Sequence, residues 1–484
     1  MTHATEKEAA DFLAANPEIV QIQAFLTDPS GVARGKVLRP EEIATAYRDG
    51  RPLPCSIQSL DMLGADVLET GLVWEEGDSD RPCFPVAGTL THAPWHDVPT
   101  AQVILQSFER DGSPTPADPR HALARTVASL EAMGLKPVIA IELEFYLVDR
   151  EAAAKGRIVP PAAPNGFTPA HLQAYLMQDL EDFSPFLNDV FDGAKKMGLP
   201  ARTLISEYAP GQFEIVLEHR ADAMRATDDA ILYKRLVKGV AARHGLVATF
   251  MAKPYAEMSG SGMHVHVSLA DGTSPNLFAG EGPLTPHLAH AIGGLEATMA
   301  ESMAVFAPNA NSYRRFRKNS YAPLAPAWAV DNRSVPLRVT AGRPETRHLE
   351  HRVCGADANP YVALATVLAG IAEGIENLRR EAGELHALHD VMLTDPEAVR
   401  DLGGRLAVPR QRGERFELVD RVHALAVIVL GEARLDAIPL GVDHARHESV
   451  STRKPRTLAA LDQLLDCEVA ALPGEDLEIA ALGR

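Results

Sequence analysis

Acidic side chains recur two residues apart in an apolar segment of this sequence. In AIELEFYLVD, Glu142 and Glu144 alternate with Ile141, Leu143 and Phe145. Residues two apart on a β-strand share one face and lie about 6.6 Å apart. A glutamate in so apolar a strand is costly unless a cation pairs with it. If this strand is buried, its glutamates therefore need a cationic partner.

Three further segments carry side chains of the same kind. Glu207 and Glu214 flank a Pro-Gly turn in SEYAPGQFEI, His264 and His266 alternate in SGSGMHVHVSL, and Glu350 lies between arginines in RHLEHRV. Each pair alone is more often a solvated strand face or two ordinary histidines. Together, five carboxylates and one imidazole suit Mg²⁺ or Mn²⁺ better than zinc. The set predicts a two-metal site for phosphoryl transfer or hydrolysis.

Arginines recur beside these segments and favour phosphoryl transfer. A guanidinium binds carboxylate or phosphate in a bidentate manner and offsets charge on a transferring phosphoryl group. Surface salt bridges are the alternative for two or three of them. The arginines concerned are Arg314, Arg315, Arg333, Arg338, Arg347 and Arg352.

The elements that position these residues fall into two predicted domains, residues 1–112 and 113–484. Residues 18–37 form a predicted hairpin around a DPSG turn. Apolar runs at 71–74 and 101–108 make the first domain rich in strands, and 114–120 is a predicted linker. In the second domain we expect an α+β arrangement. Its predicted strands are 137–148, 247–253 and 263–269, and its predicted helices are 121–133, 221–244, 286–306 and 359–380.

Composition narrows the classes of partner. The chain has 484 residues, 46% of them hydrophobic, and a formal net charge of −18. Nucleic-acid binding needs clustered positive charge, so DNA and RNA are not expected partners. We find no run of about 18 apolar residues and no signal peptide, which predicts a cytoplasmic protein without a membrane span. Four scattered cysteines predict neither a disulfide framework nor a cysteine zinc site.

The order of the segments resembles glutamine synthetase across nearly the whole chain. The blocks that carry the resemblance are TDPSGVARGKV, ELEFYLVD, SEYAPGQFE, FMAKP, GSGMHVHVSL, NSYRRF, DNRSVPLR, LEHR and ANPY. The resemblance implies a small N-terminal β-grasp domain and a large C-terminal catalytic domain with a curved antiparallel sheet and helices. It also implies a homo-oligomer of two stacked hexamer rings, with each active site between neighbouring subunits.

The resemblance also implies ligands and roles for individual residues. ATP, two or three Mg²⁺ (or Mn²⁺) ions and glutamate would bind, and γ-glutamyl phosphate would form before nitrogen displaces phosphate. One metal would be held by Glu144, Glu207 and Glu214, and the metal at the ATP phosphates by Glu142, His264 and Glu350. His266 and Ser268 would lie along the nucleotide. Arg315, Arg352, Gly260 and Tyr321 would bind substrate, and Arg333 and Arg338 would stabilise the transferring phosphoryl group.

The segments expected to bind the nitrogen substrate differ from those of the ammonia-using relatives. Their FDGSS segment, whose Asp binds ammonium, is replaced by CSIQSLDMLGAD, and the position of Asp61 relative to that Asp is open. Their flap glutamate aligns with Tyr321, and a glycine-loop Asn aligns with Ser259. Without two anionic groups, selection of a small cation loses its electrostatic basis. The pattern resembles the γ-glutamyl-amine ligases, such as γ-glutamylputrescine synthetase, with Glu207 as the expected base.

Several alternatives stay open at this point. A true glutamine synthetase using ammonia is the main one; a two-metal hydrolase and a non-catalytic relative are remoter. Putrescine, longer polyamines, ethanolamine and small alkylamines all fit as the acceptor. The tail from Gln411 onward matches the family poorly, which indicates either a divergent helical end or an assembly or regulatory element.

Overall fold

The computed structural model describes residues 4–394 except 76 and 283, with side chains described as far as residue 378. The predicted tail from Gln411 onward lies outside the described residues. The strands are β1 (Gln21–Thr27), β2 (Ala33–Leu38), β3 (Arg51–Pro54), β4 (Asp80–Pro85), β5 (Thr91–His92), β6 (Thr100–Ser107), β7 (Lys136–Asp149), β8 (Ala201–Ser206), β9 (Gln212–Leu217), β10 (Leu246–Thr249), β11 (Met263–Ala270), β12 (Trp328–Val330), β13 (Leu337–Val339) and β14 (Leu349–His351).

The helices alternate with these strands along the described chain. Short 3₁₀ turns occur at Cys55–Gln58, Leu68–Thr70 and Pro344–Thr346. The α-helices are α1 (Glu6–Ala15), α2 (Pro40–Asp49), α3 (Pro119–Ala132), α4 (Arg150–Ala153), α5 (Met177–Asp182), α6 (Ser184–Met197), α7 (Ala223–Arg243), α8 (Pro286–Thr298), α9 (Met303–Phe306), α10 (Ala310–Tyr313) and α11 (Pro360–Thr394).

The N-terminal sheet has the strand order β2-β1-β6-β4-β3, and β5 pairs with β6. β1 runs parallel to β6 and antiparallel to β2, so the predicted 18–37 hairpin is confirmed. Asp28 shapes its turn by accepting hydrogen bonds from the Val32 amide at 2.8 Å and the Arg34 Nε at 2.9 Å. Alternate β1 residues, Ile22, Ala24 and Leu26, enter the core beneath α1 and α2. Phe25, on the opposite face of β1, is buried in the main core, so the end of this strand is covered on both faces.

One predicted apolar segment of this region is not a strand. Residues 71–74 form a turn after the 3₁₀ turn Leu68–Thr70, and the Trp74 side chain is 77% exposed. Gly71 has a φ of +71°, a left-handed conformation that stops an extended chain. A run of apolar residues this short carries no periodicity that separates a strand from a turn.

The second sheet has the order β12-β13-β14-β11-β7-β9-β8, and β10 pairs with β7. Apart from the parallel β12–β13 pair, its pairings are antiparallel. Ile141, Leu143 and Phe145 of β7 are fully buried in the main core, on the face against which α3 and α7 pack. Because strand side chains alternate, Glu142 and Glu144 are left on the opposite face.

Two helix predictions fare differently. The predicted helix 221–244 is confirmed as α7, and Asp222 caps it by accepting a hydrogen bond from the Arg225 amide at 2.9 Å. The single helix predicted at 286–306 is wrong, because α8 ends at Thr298 and α9 begins at Met303. There, Ser302 donates its hydroxyl to the Thr298 carbonyl at 2.6 Å, one of the side-chain hydrogen bonds that compete with helix continuation.

The last described helix joins both parts of the chain. Asn359 caps α11 through the Tyr361 amide at 2.9 Å and donates to the Asp28 carbonyl in the β1–β2 turn at 3.0 Å. The first part of α11, Pro360–Leu378, is long and apolar enough to cross a membrane, but 72% of it is buried within the protein. It packs against α3 and α8, so in this fold it is a core helix.

Candidate active site

Strand register brings the predicted ligands to one face of the second sheet. In the antiparallel β7–β11 pair, Glu142 lies opposite His264, and β9 places Glu214 opposite Glu144. β14 places Glu350 opposite His266 of β11. Directly opposite residues in an antiparallel pair lie close enough for their side chains to interact. Segments that are far apart in sequence therefore meet in one cluster.

Two imidazoles form the centre of this cluster. His264 Nδ1 lies 3.4 Å from Glu142 Oε2 and 3.6 Å from Glu350 Oε1, while its Nε2 lies 3.7 Å from Glu144 Oε1. His266 Nε2 lies 3.1 Å from Glu142 Oε1. His264 is thus surrounded by three carboxylates that come from two strands.

Glu350 is held by two guanidinium groups. Arg338 Nη1 donates to Glu350 Oε2 at 2.8 Å, and Arg352 donates to the other oxygen. Arg338 also pairs with Asp331. Both arginines therefore lie within the carboxylate cluster, where a phosphoryl group would also be within their reach.

A glutamine ties another carboxylate to a glycine-rich loop at residues 259–262. Gln212 donates to Glu144 Oε2 at 3.1 Å and to the Gly260 carbonyl at 3.0 Å, and Ser259 donates its hydroxyl to Gln212. The Gly262 amide donates to the same Glu144 oxygen at 3.0 Å. The loop and this carboxylate thus hold each other in place.

Arg315 lies under the same loop. A Cβ at Gly260 would come within 2.6 Å of Arg315 Cγ and 2.7 Å of the Ala252 carbonyl, so only glycine fits there. Arg315 is 5% exposed and donates to the Val353 carbonyl at 2.9 Å. The predicted substrate residues Gly260 and Arg315 are therefore in direct contact.

The carboxylates near β8 and β9 have raised pKa values. Burial and the charge of Glu144 together raise the pKa of Glu207 to about 7. Burial and the charges of Glu142 and Glu144 raise the pKa of Glu214 well above its ordinary range. Burial also raises the pKa of Glu144 itself. This part of the cluster has more carboxylates than cations to pair with them.

The carboxylates beside the histidines and arginines have lowered pKa values. Burial opposes ionisation of Glu142, but His266 and His264 outweigh it and hold the pKa well below the usual range. For Glu350, His264 and Arg352 outweigh burial and lower the pKa to about 2. Glu142 also raises the pKa of His266 against the effect of burial.

This donor set fits divalent metals. Among the described residues, Glu142, Glu214 and His264 each offer a ligand atom within 4.8 Å of the others, and so do Glu142, His266 and Glu350. Oxygen-rich groups with one imidazole suit Mg²⁺ and Mn²⁺. A cation would also relieve the repulsion that raises the pKa values of Glu207 and Glu214. The grouping differs from the implied one, which joined Glu214 with Glu144 and Glu207.

The other predicted residues lie on β11 and in two loops. Ser268 is buried on β11, two residues beyond His266 and hence on the same face. Arg333 is exposed in the loop between β12 and β13. Tyr321 is 65% exposed and has a φ of +57°, a strained conformation for a tyrosine. These loop positions are open to solvent in the chain described.

Sequence reasoning missed four side chains at the site. Gln212, His219, His348 and Asp331 all contact residues of the cluster or its histidines. Gln212 on β9 and His348 just before β14 each lie two residues before a predicted ligand, Glu214 and Glu350. The period of two therefore carried a signal for both, whereas Asp331 and His219 lie outside regular strands.

Comparison with known proteins identifies the family. The family described as "Glutamine synthetase, catalytic domain" matches residues 116–406. The chain belongs to the glutamine synthetase family. Among its family relatives, gamma-glutamylputrescine synthetase of Escherichia coli strain K12 is 40% identical over 77% of this chain and 79% of its own length. Glutamate–isopropylamine ligase of a Pseudomonas species is 33% identical over 82% of this chain and 86% of its own.

A solved structure supports the family's fold for this chain. The GmaS/ADP complex superposes with a TM-score of 0.65 at 28% identity, covering 76% of this chain and 81% of that one. The glutamine synthetase match begins at residue 116, three residues before α3 begins at Pro119. The carboxylate–histidine cluster lies wholly within the matched region.

Proposed function

We propose that this protein is an ATP-dependent ligase that activates glutamate as γ-glutamyl phosphate and couples it to a primary amine. The observation that carries the proposal is the carboxylate–histidine cluster with Arg338 and Arg352, in a family whose relatives at 40% and 33% identity are named as ligases of putrescine and isopropylamine. A carboxylate is a poor acyl donor until its oxygen leaves as phosphate, so ATP supplies the driving force.

The metal ligands proposed are the two sets implied by the family. Glu144, Glu207 and Glu214 would hold one ion and Glu142, His264 and Glu350 another, as two or three Mg²⁺ or Mn²⁺ ions per site. Bound metal supplies charge neutralisation at the phosphates. His266 and Ser268 line the nucleotide along β11.

The arginines bind and orient the substrates. Arg315 and Arg352 take glutamate carboxylates, supported by the contact of Arg315 with Gly260. Arg333 and Arg338 take the phosphoryl oxygens as charge accumulates on them. Arg338 is already oriented by Glu350, whereas Arg333 would have to move in from its exposed loop.

Glu207 is the proposed base on the nitrogen side. An amine arrives as an ammonium ion and must lose a proton before it attacks, and a nearby carboxylate such as Glu207 can accept that proton. Asp61 already accepts hydrogen bonds from its own loop, from the Leu63 and Ala65 amides at 2.8 Å each. Tyr321 adds an aromatic surface for an alkyl group. Both features support an amine rather than ammonium as acceptor.

The remaining features of the proposal concern organisation. We infer domains at 1–112 and 113–484, the first a β-grasp, since its sheet mixes parallel and antiparallel strands beneath helices. We also infer a cytoplasmic homo-oligomer of stacked hexamer rings. Sedimentation of the full chain would check the assembly, with twelve subunits as the expected number.

Phosphate release from ATP tests the proposed activity. The full chain is assayed with Mg²⁺ and glutamate against ammonium and a panel of primary amines: putrescine, longer polyamines, ethanolamine and isopropylamine. Turnover with an amine and little with ammonium is expected, and it names the acceptor. Strong turnover with ammonium would make the protein a glutamine synthetase, and ATP- or glutamate-independent hydrolysis would make it a hydrolase. Glu142→Gln is expected to be inactive, and the exposed Glu218→Gln active.

A further inference from the structure

A cluster of three imidazoles lies beside the carboxylates. His266 Nδ1 is 2.9 Å from His348 Nε2. The ring centroid of His219 lies 4.9 Å from that of His348 and 5.9 Å from that of His266. One nitrogen from each ring lies within 4.8 Å of the other two. The three side chains come from the end of β9, from β11 and from the residue before β14.

The second nitrogen of two of these rings faces an acceptor. His348 Nδ1 donates to the Thr346 carbonyl at 2.8 Å, which leaves Nε2 as the nitrogen whose lone pair faces His266 Nδ1. His266 Nε2 faces Glu142 Oε1 at 3.1 Å, which directs its Nδ1 toward His348. Metal-binding histidines show this arrangement, with the other ring nitrogen bonded to a carbonyl or a carboxylate.

We propose that His219, His266 and His348 bind a borderline transition-metal ion such as Zn²⁺, at a site beside the carboxylate ligands of Mg²⁺, with His266 at the boundary between the two. Three imidazoles and one open position are a common zinc donor set, whereas Mg²⁺ prefers oxygen. Nitrogens around tetrahedral zinc lie about 3.3 Å apart, given Zn–N bonds of about 2.05 Å. The observed pair is slightly closer than this and the third ring is further away. His219 is exposed, so it can close the distance by a side-chain rotation.

The proposal concerns metal binding and does not depend on the ligase activity, although His266 belongs to both proposed sites. Zinc binding to the metal-free full chain is measured by calorimetry with Mg²⁺ present, and Co²⁺ is added separately for its visible absorption. The parent chain is expected to bind one zinc ion. The zinc affinity of His219→Ala and of His348→Gln is expected to be lower by more than about tenfold, since the loss of even an outer-shell partner lowers metal affinity that much. Co²⁺ absorption typical of tetrahedral coordination is expected in the parent chain and absent from both variants.

His171→Ala is the matched control, because His171 is also exposed but belongs to none of the described ligand groups. It is expected to bind zinc as the parent does. Zinc affinity and stoichiometry that are the same in His219→Ala as in the parent would overturn the proposal, because His219 belongs to this cluster and to neither carboxylate group.

Discussion

The raised pKa of Glu207 predicts how the stability of the metal-free protein depends on pH. A displacement from the ordinary value of 4.5 to about 7 corresponds to about 3 kcal/mol, at about 1.36 kcal/mol per pH unit. Because the folded-state pKa is raised, ionisation of this carboxyl is costly in the fold. Its contribution to the free energy of unfolding is most favourable below about pH 4.5, declines as the pH rises to about 7, and is constant above that.

Glu207→Gln removes the charge and keeps the size of the side chain. In EDTA at pH 8, we expect the variant to be more stable than the parent by about 3 kcal/mol, and at pH 5 by less than about 1 kcal/mol. Saturating Mg²⁺ is expected to raise the unfolding temperature of the parent more than that of the variant, because the parent offers the ion one more carboxylate.

Urea denaturation followed by fluorescence, at a series of pH values with and without Mg²⁺, measures the difference. Glu131→Gln on the exposed side of α3 is the control, and it is expected to stay within about 0.5 kcal/mol of the parent. If Glu207→Gln is instead less stable than the parent at pH 8 without metal, burial and the neighbouring Glu144 charge do not make ionisation of Glu207 costly in the fold.

Three further changes test the surrounding structure. Gln212→Leu leaves Glu144 without one hydrogen-bond donor, which costs about 1–2 kcal/mol. Steady-state kinetics should therefore show about a tenfold higher KM for glutamate. An unchanged KM would contradict the supporting role of Gln212. Asp228→Asn leaves the buried Arg120 guanidinium without its carboxylate partner at 2.9 Å. Thermal unfolding should show that the free energy of unfolding falls by about 3–5 kcal/mol. A smaller loss than in a surface variant such as Asp192→Asn would refute the importance of this ion pair. Arg338→Gln should lower kcat by more than about a hundredfold, whereas a change confined to KM would place Arg338 in ground-state binding only.

Much of the cluster was predictable because strand pairing has a fixed period. Glu142 and Glu144 lie on one face of β7, and the histidines on one face of β11, as their spacing predicts. The resemblance to glutamine synthetase indicated which strands are neighbours, which the spacing of side chains along each strand does not show. The register that sets Glu142 against His264 is a property of the folded sheet.

Features decided by local hydrogen bonds could not be predicted in the same way. α8 ends where the hydroxyls of Thr298 and Ser302 donate to helix carbonyls. The spacing of hydrophobic residues gives no information about such hydrogen bonds. β10 stops at Thr249, whose hydroxyl accepts from the Met251 amide at 3.1 Å, so the strand is shorter than the predicted 247–253. The histidine cluster depends on His219, which lies beyond the end of β9 and follows no strand pattern.

In the proposed reaction the γ-carboxylate of glutamate attacks ATP before the amine attacks carbon. Glutamate labelled with ¹⁸O in its γ-carboxylate tests this directly, with mass spectrometry of the inorganic phosphate released during turnover with the preferred amine. If γ-glutamyl phosphate forms, each phosphate carries one ¹⁸O from glutamate and the amide product retains the other. Phosphate without ¹⁸O would show that water cleaves ATP and would contradict the assignment of this site to a ligase.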